Sequence, residues 1–85
     1  MSELGGLMKI GESVTFLHTG INQTITGIPR ETYDYCPWSA KPGNWMDIEL
    51  QCEVTLRQIS NGKWVKYKRG PGDVLCVNLD FVKEI

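Results

Sequence analysis

The sequence predicts an all-β fold: a small barrel or roll of five strands, with one long irregular loop over residues 30–44. Three observations carry this. Residues 46–57, MDIELQCEVTLR, alternate strictly, with Met46, Ile48, Leu50, Cys52, Val54 and Leu56 set against Asp47, Glu49, Gln51, Glu53, Thr55 and Arg57. A period of two is that of a strand with one face dry and one wet. Asn61-Gly62 stands between two strand-like runs, the pattern of a two-residue hairpin turn. No apolar i, i+3, i+4, i+7 pattern persists, and nine glycines and four prolines cut the chain into short segments.

Taken in order, SVTFLHT (13–19) is rich in β-branched and aromatic residues and reads as a strand. GIN (20–22) is a turn and QTITGI (23–28) the returning strand. Pro29 has no N–H to donate and is expected to end the pairing. Residues 30–44, RETYDYCPWSAKPGN, contain two prolines and a glycine, which argue against a continuous strand. The run 46–57 exceeds the usual strand length of about 5–6 residues, so a bend or bulge is expected to let it serve two sheets.

A type I′ turn on Asn61 and Gly62 sets Ser60 opposite Lys63, Ile59 opposite Trp64, Arg57 opposite Lys66 and Leu56 opposite Tyr67. Leu56, Val65 and Tyr67 then face inward, while Arg57, Ile59, Trp64, Lys66 and Lys68 face outward. GPGD (70–73) is a turn, VLCVNL (74–79) a buried strand, and DFVKEI (80–85) a short turn with a final strand.

The chain of 85 residues makes one domain, expected over 11–85 behind a flexible segment 1–10, with Met8 a second candidate start. A chain this short buries only about 60–65% of its unfolded surface. Oligomerisation is one way to extend so small a core. Nine Lys plus Arg against ten Asp plus Glu leave a net charge of −1, without the basic surplus of a dedicated nucleic-acid binder. The three cysteines, Cys36, Cys52 and Cys76, form no Cys-x-x-Cys pair, which argues against structural zinc and against a disulfide framework. No basic-then-apolar leader and no long apolar run is visible, so the expected setting is a reducing cytoplasm, with no membrane partner and no cofactor.

GKWVKYKRGPGDVLCVNLDFVKEI (62–85) and ETYDY (31–35) resemble parts of a Src-homology-3 domain. In that family a tryptophan opens the strand after the distal hairpin, a short helical turn precedes a final Tyr-Val strand, and an Ala-Leu-Tyr-Asp-Tyr signature lies upstream. Trp64 corresponds to the tryptophan, Phe81 to the tyrosine and Val82 to the valine. The resemblance implies a Src-homology-3-like barrel and recognition of proline-rich peptides. The groove proline of the family is absent, Val77 and Asn78 standing in that region. A second register makes 13–19 the first barrel strand and 30–44 an insertion.

Candidate chemistry is sparse. His18 and Cys36 would make a nucleophilic dyad only if the fold joined them. Asp47, Glu49 and Glu53 share one strand face, which alternation produces without any catalytic demand. No catalytic or metal-ligating residue is therefore assigned. Tyr33, Tyr35, Trp38 and Trp45 crowd the 30–45 region, and tyrosine and tryptophan are enriched at interface hot spots. The expected function is a non-enzymatic protein-interaction module. Tyr33, Tyr35, Trp38, Trp64 and Phe81 would be its contact surface, with Lys66 and Lys68 steering an acidic partner. The alternative is single-stranded nucleic-acid binding through Lys63, Trp64, Lys66, Lys68 and Arg69, where base stacking is worth about 1–3 kcal/mol per base.

Overall fold

The computed structural model describes residues 8–36 and 41–85. The chain forms strands β1 (Val14–His18), β2 (Gln23–Tyr35), β3 (Pro42–Leu50), β4 (Val54–Ser60), β5 (Lys63–Arg69), β6 (Val74–Asn78) and β7 (Val82–Lys83), with a 3-10 turn at Leu79–Phe81. The all-β class is as expected. The five-stranded barrel is not what forms: there is a five-stranded sheet in the order β6-β3-β2-β1-β7 and a separate two-stranded ribbon, β4-β5. The sheets do not close into a barrel. Among the described residues no helix is long and apolar enough to cross a membrane.

Within the expected irregular loop over 30–44, residues 30–35 and 42–44 are strand. β2 runs on through Pro29 to Tyr35, and β3 begins at Pro42. Pro29 is tolerated for a geometric reason. The N–H of Leu50 goes to Asp73 O at 2.8 Å, on the β6 side, so the Gly27–Leu50 pair exchanges no hydrogen bonds. Two residues on, the Pro29–Ile48 pair is of the same kind, and the proline nitrogen faces away from β3. Its carbonyl faces that same side and accepts the N–H of Gly11 at 2.8 Å. Register shifts then follow between Pro29 and Glu31 and between Tyr33 and Tyr35, which absorb the irregular sequence as bulges. Trp38 and residues 1–7 lie outside the described residues.

The run 46–57 bends as expected. β3 ends at Leu50, a bend takes Gln51 and Cys52, and β4 starts at Val54 in the other sheet. The bend is pinned to β2 by Gln51 N–H to Thr26 O at 2.8 Å and Thr26 N–H to Cys52 Sγ at 3.3 Å.

The core holds Met8, Phe16, Ile25, Met46, Ile48, Leu50, Val54, Val77 and Val82. Met8 packs into it, so the packed chain begins ahead of Gly11. Fully burying a side chain of this size contributes about 1.5–3 kcal/mol. Gly27 sits where a Cβ would run into the Ile48 side chain and approach Glu49 O at 2.8 Å, so the close packing of β2 on β3 depends on it. The 74–79 strand is less buried than expected: β6 is a sheet edge with only Val77 fully enclosed.

Candidate functional site

The β4-β5 ribbon has the register that its turn predicts. Asn61 and Gly62 take φ of 53° and 76°, as a type I′ turn requires, and Ser60–Lys63, Ile59–Trp64, Arg57–Lys66 and Leu56–Tyr67 are paired. Burial fades toward the tip: Val54 is fully enclosed, Leu56 and Tyr67 are half-buried, and Ile59 and Trp64 are 63% and 66% exposed. Val65, expected inside, is exposed. The ribbon's inner face outruns the core at that point, so the arm projects beyond it.

One side chain ties the arm to the main sheet. Gln23, the first residue of β2, donates from Nε2 to Thr55 O at 2.6 Å and accepts the Thr55 N–H on Oε1 at 3.0 Å. A side-chain amide here stands in for a strand neighbour, satisfying both backbone groups of a ribbon residue.

Between arm and sheet lies a cleft of about 530 Å³. His18, Ile21 and Gln23 line it from the β1–β2 end, Thr55, Leu56 and Arg57 from β4, Trp64, Lys66 and Tyr67 from β5, and Leu75 and Cys76 from β6. No carboxylate is among them. The guanidinium of Arg57 lies over the Trp64 ring, 5.4 Å from its centroid, a diagonal cross-strand contact. Arg57 also stands directly opposite Lys66, a like-charge pair. Glu53, a candidate to relieve that pair, instead meets Lys68 Nζ at 3.5 Å. Among the described residues no ion pair engages Arg57, Lys63 or Lys66, whereas Arg69 is held by Asp73 at 3.6 Å.

His18 closes β1 beside the cleft. Its Nδ1 accepts the Gly20 N–H at 3.1 Å, and its ring stacks on Phe81 with centroids 5.9 Å apart. Burial lowers its pKa, with a backbone hydrogen bond acting the other way. The His18–Cys36 dyad is not assembled: His18 lines this cleft and Cys36 a second cavity.

The expected five-aromatic surface is divided. Trp64 and Lys66 share the cleft, and Phe81 reaches it through His18. Tyr33 and Tyr35 lie along the β2–β3 hairpin, and among the described residues no ring contact joins them to Trp64 or Phe81. Tyr33 donates its hydroxyl to Asp47 Oδ2 at 2.8 Å, and that bond pushes its pKa up to about 12. Asp47, Glu49 and Glu53 likewise do not act as a group. Asp47 is bonded to Tyr33, Glu49 to Arg30 at 2.6 Å, and Glu53 is paired with Lys68. Among the described residues no cluster of three or more His, Cys, Asp or Glu could hold a metal ion.

Sequence reasoning missed the roles of Gln23, Ile59, Val65 and Arg57. The Arg57–Trp64 contact was readable from the turn register, since the two are diagonal neighbours on one ribbon face. Gln23 carried no signal, because its partner depends on where the 51–53 bend sends β4. No protein-family model, no curated protein and no solved structure matches the chain.

Proposed function

We propose that the chain is a non-enzymatic protein-interaction module whose β4-β5 arm docks an acidic segment of another protein. One observation carries this reading. The Trp64 face of the arm presents the exposed pair Ile59 and Trp64 beside Arg57 and Lys66, and no carboxylate lines the cleft that Arg57, Trp64 and Lys66 border. Apolar anchors give affinity, and unpaired cations steer a partner of opposite charge. Val65 extends the apolar tip to the other side of the ribbon, which suits a protein partner that wraps the arm better than a phosphate backbone.

The order arm strand, turn, strand, 3-10 turn and short final strand over 63–83 supports a likeness to the Src-homology-3 plan, from which the open sheets depart. A second reading keeps the cleft as a single-stranded nucleic-acid groove, since Trp64 and two cations line it. Against it, Lys68 and Arg69 are already paired with carboxylates, and the net charge is −1.

The test is an amide and indole NMR titration with a pool of acidic peptides containing apolar residues, and separately with mixed-sequence single-stranded DNA at two salt concentrations. Peptide-induced shifts confined to 57–67, lost in Trp64→Ala, are expected. Shifts with DNA alone, reversed steeply by salt, would transfer the function to nucleic acid.

A further inference from the structure

Two of the three cysteines line one cavity, although forty positions separate them in the sequence. Cys36 ends the β2 side of the long hairpin and is buried, while Cys76 lies in edge strand β6, opposite Asp47 of β3. β3 therefore runs between the two strands that carry them. Cys36 and Asp47 are the neighbours that act on the Cys76 thiol, Asp47 as its cross-strand partner on β3. Both cysteines line a cavity of about 390 Å³, together with Tyr67, Arg69, Val74 and Leu75. Cys52 stands apart at the 51–53 bend, where its sulfur accepts the Thr26 N–H.

We propose that Cys36 and Cys76 are a reversible dithiol–disulfide pair, oxidised by a low-molecular-weight disulfide that enters through this cavity. Cys76, the more exposed sulfur, reacts first. Its thiolate attacks one sulfur of the small disulfide, the S–S bond breaks, and one small thiolate leaves and takes up a proton. Cys36 then loses its proton and attacks the Cys76 sulfur, expelling the second small thiol. Two protein thiols are oxidised, one small disulfide is reduced to two thiols, and the chain loses two hydrogens. The bond ties the end of β2 to the β6 edge across β3.

Burial, then the neighbouring Cys36 and Asp47, hold the Cys76 thiol protonated up to about 12. The attacking thiolate is scarce near neutrality, so exchange is slow there and accelerates as pH rises. The groups facing the sulfur are Cys36 and Asp47, with Tyr67 and Arg69 across the cavity.

The experiment incubates the full chain with oxidised glutathione, quenches with acid, and reads intact mass and peptide maps after alkylation. The wild-type chain is expected to lose two hydrogens with Cys36 linked to Cys76, and Cys52→Ser to do the same. Cys36→Ser is expected to stop at a glutathione adduct on Cys76. A wild-type chain that accumulates adducts without the internal bond, links Cys52 instead, or remains fully reduced at pH 9 overturns the proposal. Because Cys52→Ser leaves both partners in place, it keeps the test decisive if Cys36→Ser fails to fold.

Discussion

The five-stranded sheet and the β4-β5 arm grow from one alternating run, yet they treat it differently. In β3 the alternation is fully realised: Met46, Ile48 and Leu50 are buried, and Asp47 and Glu49 are each satisfied by a side chain from β2. Past the bend the same period continues, but only Val54 stays enclosed and the arm ends in exposed Ile59 and Trp64. Alternation reports which residues share a face. Whether that face is covered depends on what packs against it, and at the arm's tip Trp64 borders an open cleft rather than the core.

The sharpest way to break this contrast is to empty the sheet. Ile48→Ala removes a fully buried side chain from the centre of the core, and its cost is expected at about 2–5 kcal/mol in urea unfolding. Val65→Ala, the same kind of truncation on the arm, is expected to change stability by less than about 0.5 kcal/mol. Equal effects at the two sites would mean that the arm is packed after all.

Next in size is the tie between the regions. Gln23→Ala leaves both backbone groups of Thr55 without their partners, a loss of about 1–3 kcal/mol. Hydrogen exchange is the measurement: protection over 54–69 should fall while that of β1–β3 holds. Loss across both regions together would show that arm and sheet unfold as one unit.

Trp64→Ala is expected to be smaller for stability, roughly 0.5–1 kcal/mol, since it deletes one cation–π contact and one cross-strand pair at an exposed site. Its effect on partner binding should exceed tenfold, and a variant that unfolds early instead would make the tryptophan a structural residue.

The smallest effect is a pH slope from His18. Its folded pKa lies below the ordinary 6.5, so the unfolded chain takes up the proton more readily. The stability is present above pH 6.5 and is lost as pH falls through the folded value. His18→Phe should flatten that part of the pH profile in thermal melts, and an unchanged slope would place the titration elsewhere.

Much of this was readable from residue order. Asn61-Gly62 dictated a turn, and the turn dictated every pair along the ribbon. The excess length of 46–57 called for a bend, and the bend divides the two sheets. The path of 30–44 was not readable, because a proline forbids only one hydrogen-bonding direction and Pro29 faces the permitted side. Val65 carried an inward phase without a neighbour to meet it. The sites that depend on distant partners, the Gln23 tie to Thr55 and the cavity that Cys36 and Cys76 share, leave no local trace, since neither follows from spacing along the chain.

The amide of Gln23 has a consequence for how this molecule would age. It holds Thr55 by presenting a donor to a carbonyl and an acceptor to an N–H at once. Hydrolysis of that amide to a carboxylate would keep the acceptor and turn the donor into a second, negatively charged oxygen facing the Thr55 carbonyl. One slow chemical event at one side chain would cost the Thr55 carbonyl its donor while the N–H kept its acceptor, and the tie between arm and sheet would loosen without any strand having been broken.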